Sequence, residues 1–494
     1  VGADTTAPET LRRTALRALA VFALEAAVLG SLVLRHARVA DLDSLFHAKM
    51  AWLLWHEGFR RDFPWMTCSI TASHWADHHF LFHVLLAPLS PLGLDATLRV
   101  GAVLVGALGL TTCVLSLARA GVKHLWFWAL ALPLCSDVFL YRMAMTRAMP
   151  LCLALTVLHL DALEARRARR TGILAFVSIW AYQGAIFLLP LAALHALRDR
   201  LRALPRAGTL LATVTGLVLG LTLNPFFPAT WDFLALHIGP YLSHDPVRSL
   251  VDVGLEWRPA DLSLVPRVVP VLVLGFVLPL VSVARRRWSA HDDALVAAVL
   301  LFALASLRAQ RFLEYLAPLS VMLGARVFTR GALDGLLRPA IQRGATALAA
   351  AATLAYCAAQ WRSIDYDAFS VDPADVSGAA GWLARNTPPG AVVFHAAWDD
   401  FAPLFYSNHH NRYLFGLDPY WFVEHDAALY VRYRLVTEGR DPDPVGTIRT
   451  RFHSRHVALV ARPGLLGLAQ QLRRDPRALL VYQSRRTLVF ALDE

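Results

Sequence analysis

The segment ADLDSLFHAKMAWLLWHEGF, residues 40–59, sets Asp41 and Asp43 one residue apart, directly after an apolar stretch long enough to cross a bilayer. If a helix begins at Ser44, Asp43 and His47 lie one turn apart on one face. Such a cluster can bind a divalent cation, Mg or Mn, or supply a general base for a hydroxyl or amide nucleophile. The same acids also suit a plainer task, capping the helix that follows, and residue types alone leave both readings open.

A second group follows in SHWADHHFLFHVLLAPL, residues 73–89, which carries His74, Asp77, His78, His79 and His83. On a helix, His74 with His78 and His79 with His83 would stand one turn apart, a spacing at which imidazoles share a metal or another ligand. The competing reading is an interfacial helix whose imidazoles and tryptophans sit at headgroup depth.

These residues need elements to hold them, and the bulk composition says which. Of 494 residues, 56% are hydrophobic and only 17% charged, with a mean hydropathy of +0.45, which is too apolar for a soluble protein of this length. The formal charge of +11 comes almost wholly from arginine, since Lys49 and Lys123 are the only lysines. The basic residues run in short clusters between apolar blocks, at 166–170, 198–206 and 285–287, where cytoplasmic loops are expected. Charge here reports topology, and nucleic acid is not an expected partner. The five cysteines form no C-x-x-C pair, so neither a disulfide framework nor a zinc site is indicated.

Apolar blocks near 14–36, 95–118, 122–141, 143–163, 207–223, 265–284, 291–307, 312–328 and 342–361 read as spans. The block at 171–197 has basic runs on both sides and returns the chain to its own face only as two short helices broken around Gln183 and Gly184. The expectation is a mainly α polytopic membrane protein with about eleven transmembrane helices over residues 1–361. Its N-terminus is expected in the cytoplasm of a bacterial inner-membrane protein, with the first span retained rather than cleaved. Large outer loops then fall at about 37–94 and 224–264. After Trp361 the composition changes to that of a soluble α/β unit, residues 362–494, with strand-like runs at 391, 456, 478 and 487, expected outside the membrane.

The stretch DLDSLFHAKMA resembles the first acidic motif of oligosaccharyltransferase catalytic subunits. More broadly, the chain is similar to the GT-C superfamily of integral membrane glycosyltransferases, which includes protein O-mannosyltransferases and lipid A aminoarabinose transferases. The resemblance implies a polyprenyl-phosphate-linked sugar donor, a surrounding of membrane lipids, and Asp41 or Asp43 as the catalytic acid position. It places NPFFP at 224–228 and GLEWRP at 254–259 in the second outer loop, with Glu256 as a further acidic partner. RAQRFLEYLAPL, residues 308–319, resembles the pattern at the outer end of a late GT-C span, where Arg308 and Arg311 would hold the carrier phosphate bidentately. Arginines at a helix end also snorkel to lipid headgroups, and that reading stands beside it.

Residues 386–406 resemble the approach to the W-W-D-Y-G signature, which makes Trp398, Asp399 and Asp400 the acceptor-side candidates. The match stops at Trp398 and Asp399: Ala397 replaces the first Trp, and Asp400 and Phe401 replace Tyr and Gly, so recognition of an Asn-containing sequon is not implied. The DHH string at 77–79 precedes the second span, whereas similar strings in archaeal members follow a later one. In place of a second acidic motif stands LYRMAMTRAMP, residues 140–150, with Arg142 and Arg147, which argues against metal dependence while the Asp and His groups permit it.

The leading expectation is an inverting transfer of a sugar from lipid carrier to a protein, lipid or glycan acceptor on the outer face. A transporter or lipid-handling protein is the alternative, with the outer-loop Asp/His cluster holding an ion; its best support is Glu25 and Asp137 within apolar segments and the broken pair at 171–197. A scaffold leaves the clustered outer-loop acids unexplained.

Overall fold

A computed structural model of the chain describes residues 6–36, 38–205, 208–242, 251, 254–335, 338–364, 372–461 and 466–493. The structure is mostly helical, with one small sheet formed by the C-terminal part. Among the described residues, three helices are long and apolar enough to cross a membrane: Arg12–Val33, Leu94–Arg119 and Gln310–Thr329. Parts of the second outer loop, at 243–250 and 252–253, and of the link after Trp361, at 365–371, lie outside the described residues.

Several apolar blocks are not single helices. The block at 122–141 divides into Leu125–Ala131 and Asp137–Met143, and the one expected at 143–163 begins its helix only at Met149–Glu164. Between them, residues 144–148 turn without helix and bring Arg142 and Arg147 to one place. The block at 171–197 forms Ala168–Ala181 and Leu188–Leu201, joined by the tight turn Gln183–Phe187. Ala168–Ala181 packs closely on Thr209–Thr222 because the contact is made of glycines: a Cβ on Gly216 would collide with the Gly172 carbonyl. Small residues that let two backbones touch are how helices associate where lipid removes the hydrophobic drive.

Asp41 caps the helix Leu42–His56, accepting from the Ser44 backbone N–H at 3.2 Å. That helix is buried on most of its circumference, including Leu45, Phe46, Ala48 and Leu53, so it is an internal strut of the outer loop. The stretch 73–89 differs from the helix expected of it. Residues 73–79 are turns and extended chain, and helix begins only at Phe80, running through Leu86 into the tighter turn Ala87–Leu92, because Asp77 accepts from the His79 N–H at 3.0 Å just before the helix starts. His74 consequently faces solvent, bonded to Ser73, and stands one turn from no other histidine.

The sheet has the order β2-β1-β3-β5-β4, where β1 is Val392–His395, β2 Arg412–Tyr413, β3 His456–Val460, β4 Ala478–Gln483 and β5 Thr487–Leu492. β1 runs parallel to β2 and β3, and β5 antiparallel to β3 and β4. The short edge strand β2 does not end the sheet. The first outer loop adds to it, with Tyr413 N–H donating to Trp65 O at 2.8 Å, Thr67 N–H to Tyr413 O at 2.8 Å and Cys68 N–H to Leu414 O at 2.7 Å. An aromatic core seals the junction: fully buried Phe63 lies against Phe46, Trp65 and Trp75 of the loop and Phe401 and Phe405 beyond β1.

Phe63→Ala should therefore cost about 3–5 kcal/mol through the cavity it leaves. The measurement is thermal unfolding of the detergent-solubilised protein together with limited proteolysis: the midpoint falls and cleavage between residues 387 and 493 accelerates, whereas an unchanged proteolytic pattern would mean that the sheet does not depend on the loop.

Candidate active site

The caps and turns just described deliver four carboxylates and three guanidinium groups to one place. Arg147 uses each of its nitrogens on a different acid: Nε pairs with Asp41, Nη2 lies 2.8 Å from Asp43 Oδ2, and Nη1 donates to Glu256 Oε2 at 2.9 Å. Arg142 donates to the same Glu256 oxygen at 2.6 Å and pairs with buried Glu314. Arg311 stands 3.5 Å from Glu256 Oε1 and stacks its guanidinium 4.3 Å over the Trp257 ring. The backbone of the 144–148 turn is tied to the acidic segment as well, since Thr146 N–H donates to Ser44 Oγ at 3.0 Å and Tyr141 donates to the Ala40 carbonyl.

Two cavities meet at this cluster. One, of about 670 Å³, is lined by Asp41, Tyr141, Arg267, Trp398, Asp418 and Tyr420. The other, of about 780 Å³, is lined by His47, His79, Tyr182, Phe187, Arg308 and Trp421. Asp43, Arg142, Arg147, Glu256, Arg311 and Glu314 line both. Arg308 is exposed beside the larger cavity and makes no ion pair with any described residue.

The charges are unequal, and the acids differ accordingly. Burial works to raise Glu256, but Arg147, Arg142 and Arg311 outweigh it and hold the carboxyl well below the usual carboxylate range. Asp43 goes the other way. Burial, with Asp41 and Glu256 nearby, pushes it up to about 6 against the pull of Arg147 and Arg142. Its side chain keeps 30% exposure because it opens into the cavities, which makes it the acid in the cluster best placed to exchange a proton with a ligand.

Behind Asp43, a chain of imidazoles runs inward. His47 Nδ1 and His83 Nε2 share a hydrogen bond of 2.8 Å, and His83 Nδ1 lies 2.6 Å from Asp77 Oδ2. Burial and His83 keep His47 well below the ordinary imidazole value, so it stays neutral. His79 stacks on Tyr182 with ring centroids 5.0 Å apart and meets His47 edge-on at 4.7 Å. Among the described residues, no group of three or more His, Cys, Asp or Glu side chains is arranged to hold a metal ion.

The structure thus brings together Asp41, Asp43, Glu256 and Arg311, with Arg308, His47, His78 and His79 on the wall of the larger cavity. Asp77 lies behind that wall and His74 lies apart. Of the acceptor-side candidates, Trp398 lines the smaller cavity, whereas Asp399 and Asp400 line neither; Asp400 is fully buried at the start of the helix Phe401–Ser407. The wall they were expected to form comes instead from Leu417, Asp418, Pro419, Tyr420 and Trp421, where Leu417 takes a left-handed turn with φ +67°. The GLDPYW string is the only sequence signal for that turn.

No family model and no curated protein matches the chain. Solved structures do. The oligosaccharyltransferase AglB from Archaeoglobus fulgidus, in complex with an inhibitory peptide and a dolichol-phosphate, aligns over 97% of this chain and 74% of its own, with a TM-score of 0.65 and 12% identity. ArnT from Cupriavidus metallidurans bound to undecaprenyl phosphate aligns over 99% of this chain and 98% of its own, with a TM-score of 0.57 and 16% identity, and its apo state aligns at 0.53. The chain shares the fold of these two proteins. At 12–16% identity the likeness is one of fold, mostly helical with one small sheet, and the chemistry rests on the cluster itself.

Glu314→Gln tests that cluster. It leaves Arg142 buried with half its partners, so stability should fall on the order of 3–5 kcal/mol. Thermal unfolding of Glu314→Gln, Arg142→Gln and the double variant measures it, and a double variant destabilised by the sum of the two single losses would show that the pair is not coupled.

Proposed function

We propose that the protein transfers a sugar from a polyprenyl-phosphate-linked donor to an acceptor on the extracytoplasmic face. In this reading the chain crosses the membrane about eleven times, its N-terminus is cytoplasmic, and the sheet domain lies outside. The observation that carries it is the position of Asp43: the proton-exchanging member of a charge cluster, at the junction of two cavities, in a GT-C fold whose solved neighbours were determined with dolichol-phosphate and undecaprenyl phosphate.

The larger cavity suits the donor. Ile186, Phe187, Leu189, Pro190, Phe312 and Tyr315 give it an apolar wall for the first isoprene units, and Arg308 at its exposed side has a guanidinium to spare for the phosphate. Arg311, already turned toward the cluster, adds charge as the phosphate becomes the leaving group. The acceptor then approaches through the smaller cavity, past Trp398, Asp418 and Tyr420.

The step is a single displacement. Asp43 takes the proton of the acceptor hydroxyl or amide, the freed lone pair attacks the anomeric carbon from the face opposite the phosphate, and the carbon–oxygen bond to the phosphate breaks with its electrons going to the leaving group. Attack from the opposite face inverts the anomeric centre. Proton uptake by Asp43 brings the four acids and three guanidinium groups to equal charge, so the base becomes neutral without leaving an unpaired charge among its neighbours. Asp41 and Glu256 hold Arg147 and take no part in the proton transfer.

Of the two acids on which the transport alternative rests, Glu25 is fully buried with no hydrogen-bond partner among the described residues, and Asp137 is spent otherwise. Asp137 is committed to Arg267, with Oδ2 2.8 Å from Nε and 2.6 Å from Nη2, and it sits at the wall of the smaller cavity.

Asp43 must be ionised to act, and its raised value means that it gains its proton as pH falls through about 6. Release of undecaprenyl phosphate from lipid-linked sugar by the protein in nanodiscs should therefore drop tenfold per unit below that pH. Asp43→Asn should lose about 10²–10⁴ of the rate with little change in donor binding. Arg308→Ala should instead weaken undecaprenyl phosphate binding about tenfold, read by native mass spectrometry. Full turnover in Asp43→Asn would sink the mechanism.

A further inference from the structure

Three oxygen donors on one point are what a divalent cation asks of a protein, and Asp41, Asp43 and Glu256 supply them. The point is taken. The planar guanidinium of Arg147 turns a separate nitrogen to each of the three carboxylates. Arg142 bonds the same oxygen of Glu256 that Arg147 does, and Asp41 spends its other oxygen on the Ser44 hydroxyl and N–H. An ion at this position would have to displace a group that does not deprotonate, against two charge-assisted hydrogen bonds, to Asp41 and Glu256, and a third ion pair, to Asp43. The donor set therefore does not fit a divalent cation while Arg147 stands in it.

We propose that Arg147 is a resident cation: its guanidinium occupies the position of a divalent ion among Asp41, Asp43 and Glu256, and the cluster binds no Mg or Mn. The origin of the arrangement is visible along the chain. Arg147 sits in the turn between Asp137–Met143 and Met149–Glu164, and Thr146 anchors that turn to Ser44 on one side and to the Leu98 carbonyl, at 2.5 Å, on the other. Tyr141 ties the helix before the turn to Ala40. The guanidinium is thus delivered by the same backbone links that fix Asp41 and Asp43, so acids and cation assemble as one unit.

A covalently attached cation differs from a bound one in a way that matters to this site. It cannot be lost to chelators, it has no open coordination position for a ligand oxygen, and its charge is single. A divalent ion among the same acids would hold Asp43 in its ionised form as a ligand. One guanidinium shared by three carboxylates leaves Asp43 free to pick up and release a proton. The inference deepens the transfer mechanism above by explaining how Asp43 remains a base, but its test needs no turnover.

The experiment is Mn²⁺ binding to the full chain in nanodiscs, followed by electron paramagnetic resonance and by thermal unfolding with Mn²⁺ or EDTA. The unaltered protein should bind no Mn²⁺ beyond an empty-disc control and keep its midpoint in EDTA. Arg147→Ala empties the position and should take up one Mn²⁺ per chain, with a rise in midpoint on the order of 2–4 °C that Asp41→Asn in the same background abolishes. Stoichiometric Mn²⁺ on the unaltered protein, lost in Glu256→Gln, would overturn the inference, as would a folded Arg147→Ala that takes up no ion. Should Arg147→Ala fail to fold without Mn²⁺, folding restored by Mn²⁺ supports the inference, and failure with and without it leaves the unaltered protein's Mn²⁺ titration to decide.

Discussion

The guanidinium of Arg147 is the point on which one end of the helical bundle is organised. It gathers an acid from beyond the first apolar segment, a second from the start of the following helix and a third from the turn Leu255–Trp257. Without a shared cation these carboxylates would repel one another in a poorly hydrated space, where unit charges a few ångströms apart cost far more than in water. With it, the chain segments that carry them have a reason to converge. The break in the apolar block at 144–148 follows from the same demand. A continuous helix there would carry Arg142 and Arg147 past the cluster, and the energy recovered from ion pairing offsets the backbone hydrogen bonds that the turn forgoes.

That convergence explains what was legible in the sequence and what was not. The acidic pair, the apolar blocks and the change in composition after Trp361 are local properties, and each can be seen in a window of about twenty residues. Asp41 even announces its cap, being the acid three residues before the Ser44 that it accepts from. Partnerships are not local. Arg147 finds Asp41 across 106 positions, Arg142 finds Glu314 across 172, and no spacing rule connects them. Arg142 and Arg147 were visible only as a missing acidic motif, although they are the groups that balance the acids present.

The histidines divide. His79 and His83 do stand one turn apart, His83 N–H donating to the His79 carbonyl at 3.1 Å, but Asp77 bends the chain before them so that His74 and His78 do not, and the side-chain bonds that form are His83 to Asp77 and His83 to His47. The acidic residue within the string was the clue, since Asp before a helix start competes for backbone N–H groups. Trp398 lines the smaller cavity, but Asp399 and Asp400 stay out of both for a related reason. Buried Asp400 belongs to the sheet domain's own packing, and the surface turned toward the membrane part is made by a turn twenty residues later.

The division of labour between the two parts of the chain follows from where each wall of the cavities originates. Residues before 362 supply the cluster and the apolar wall of the larger cavity; the part that carries the sheet supplies Trp398 and the 417–421 turn. The first outer loop belongs to both, since Leu42–His56 carries Asp43 and His47 while residues 65–68 bond to the edge of the sheet. The sheet and the helix that holds the proposed base are joined through the aromatic core around Phe63. Phe46 is the link: it packs against Phe63 and Phe405 on one side and sits one residue before His47 on the other.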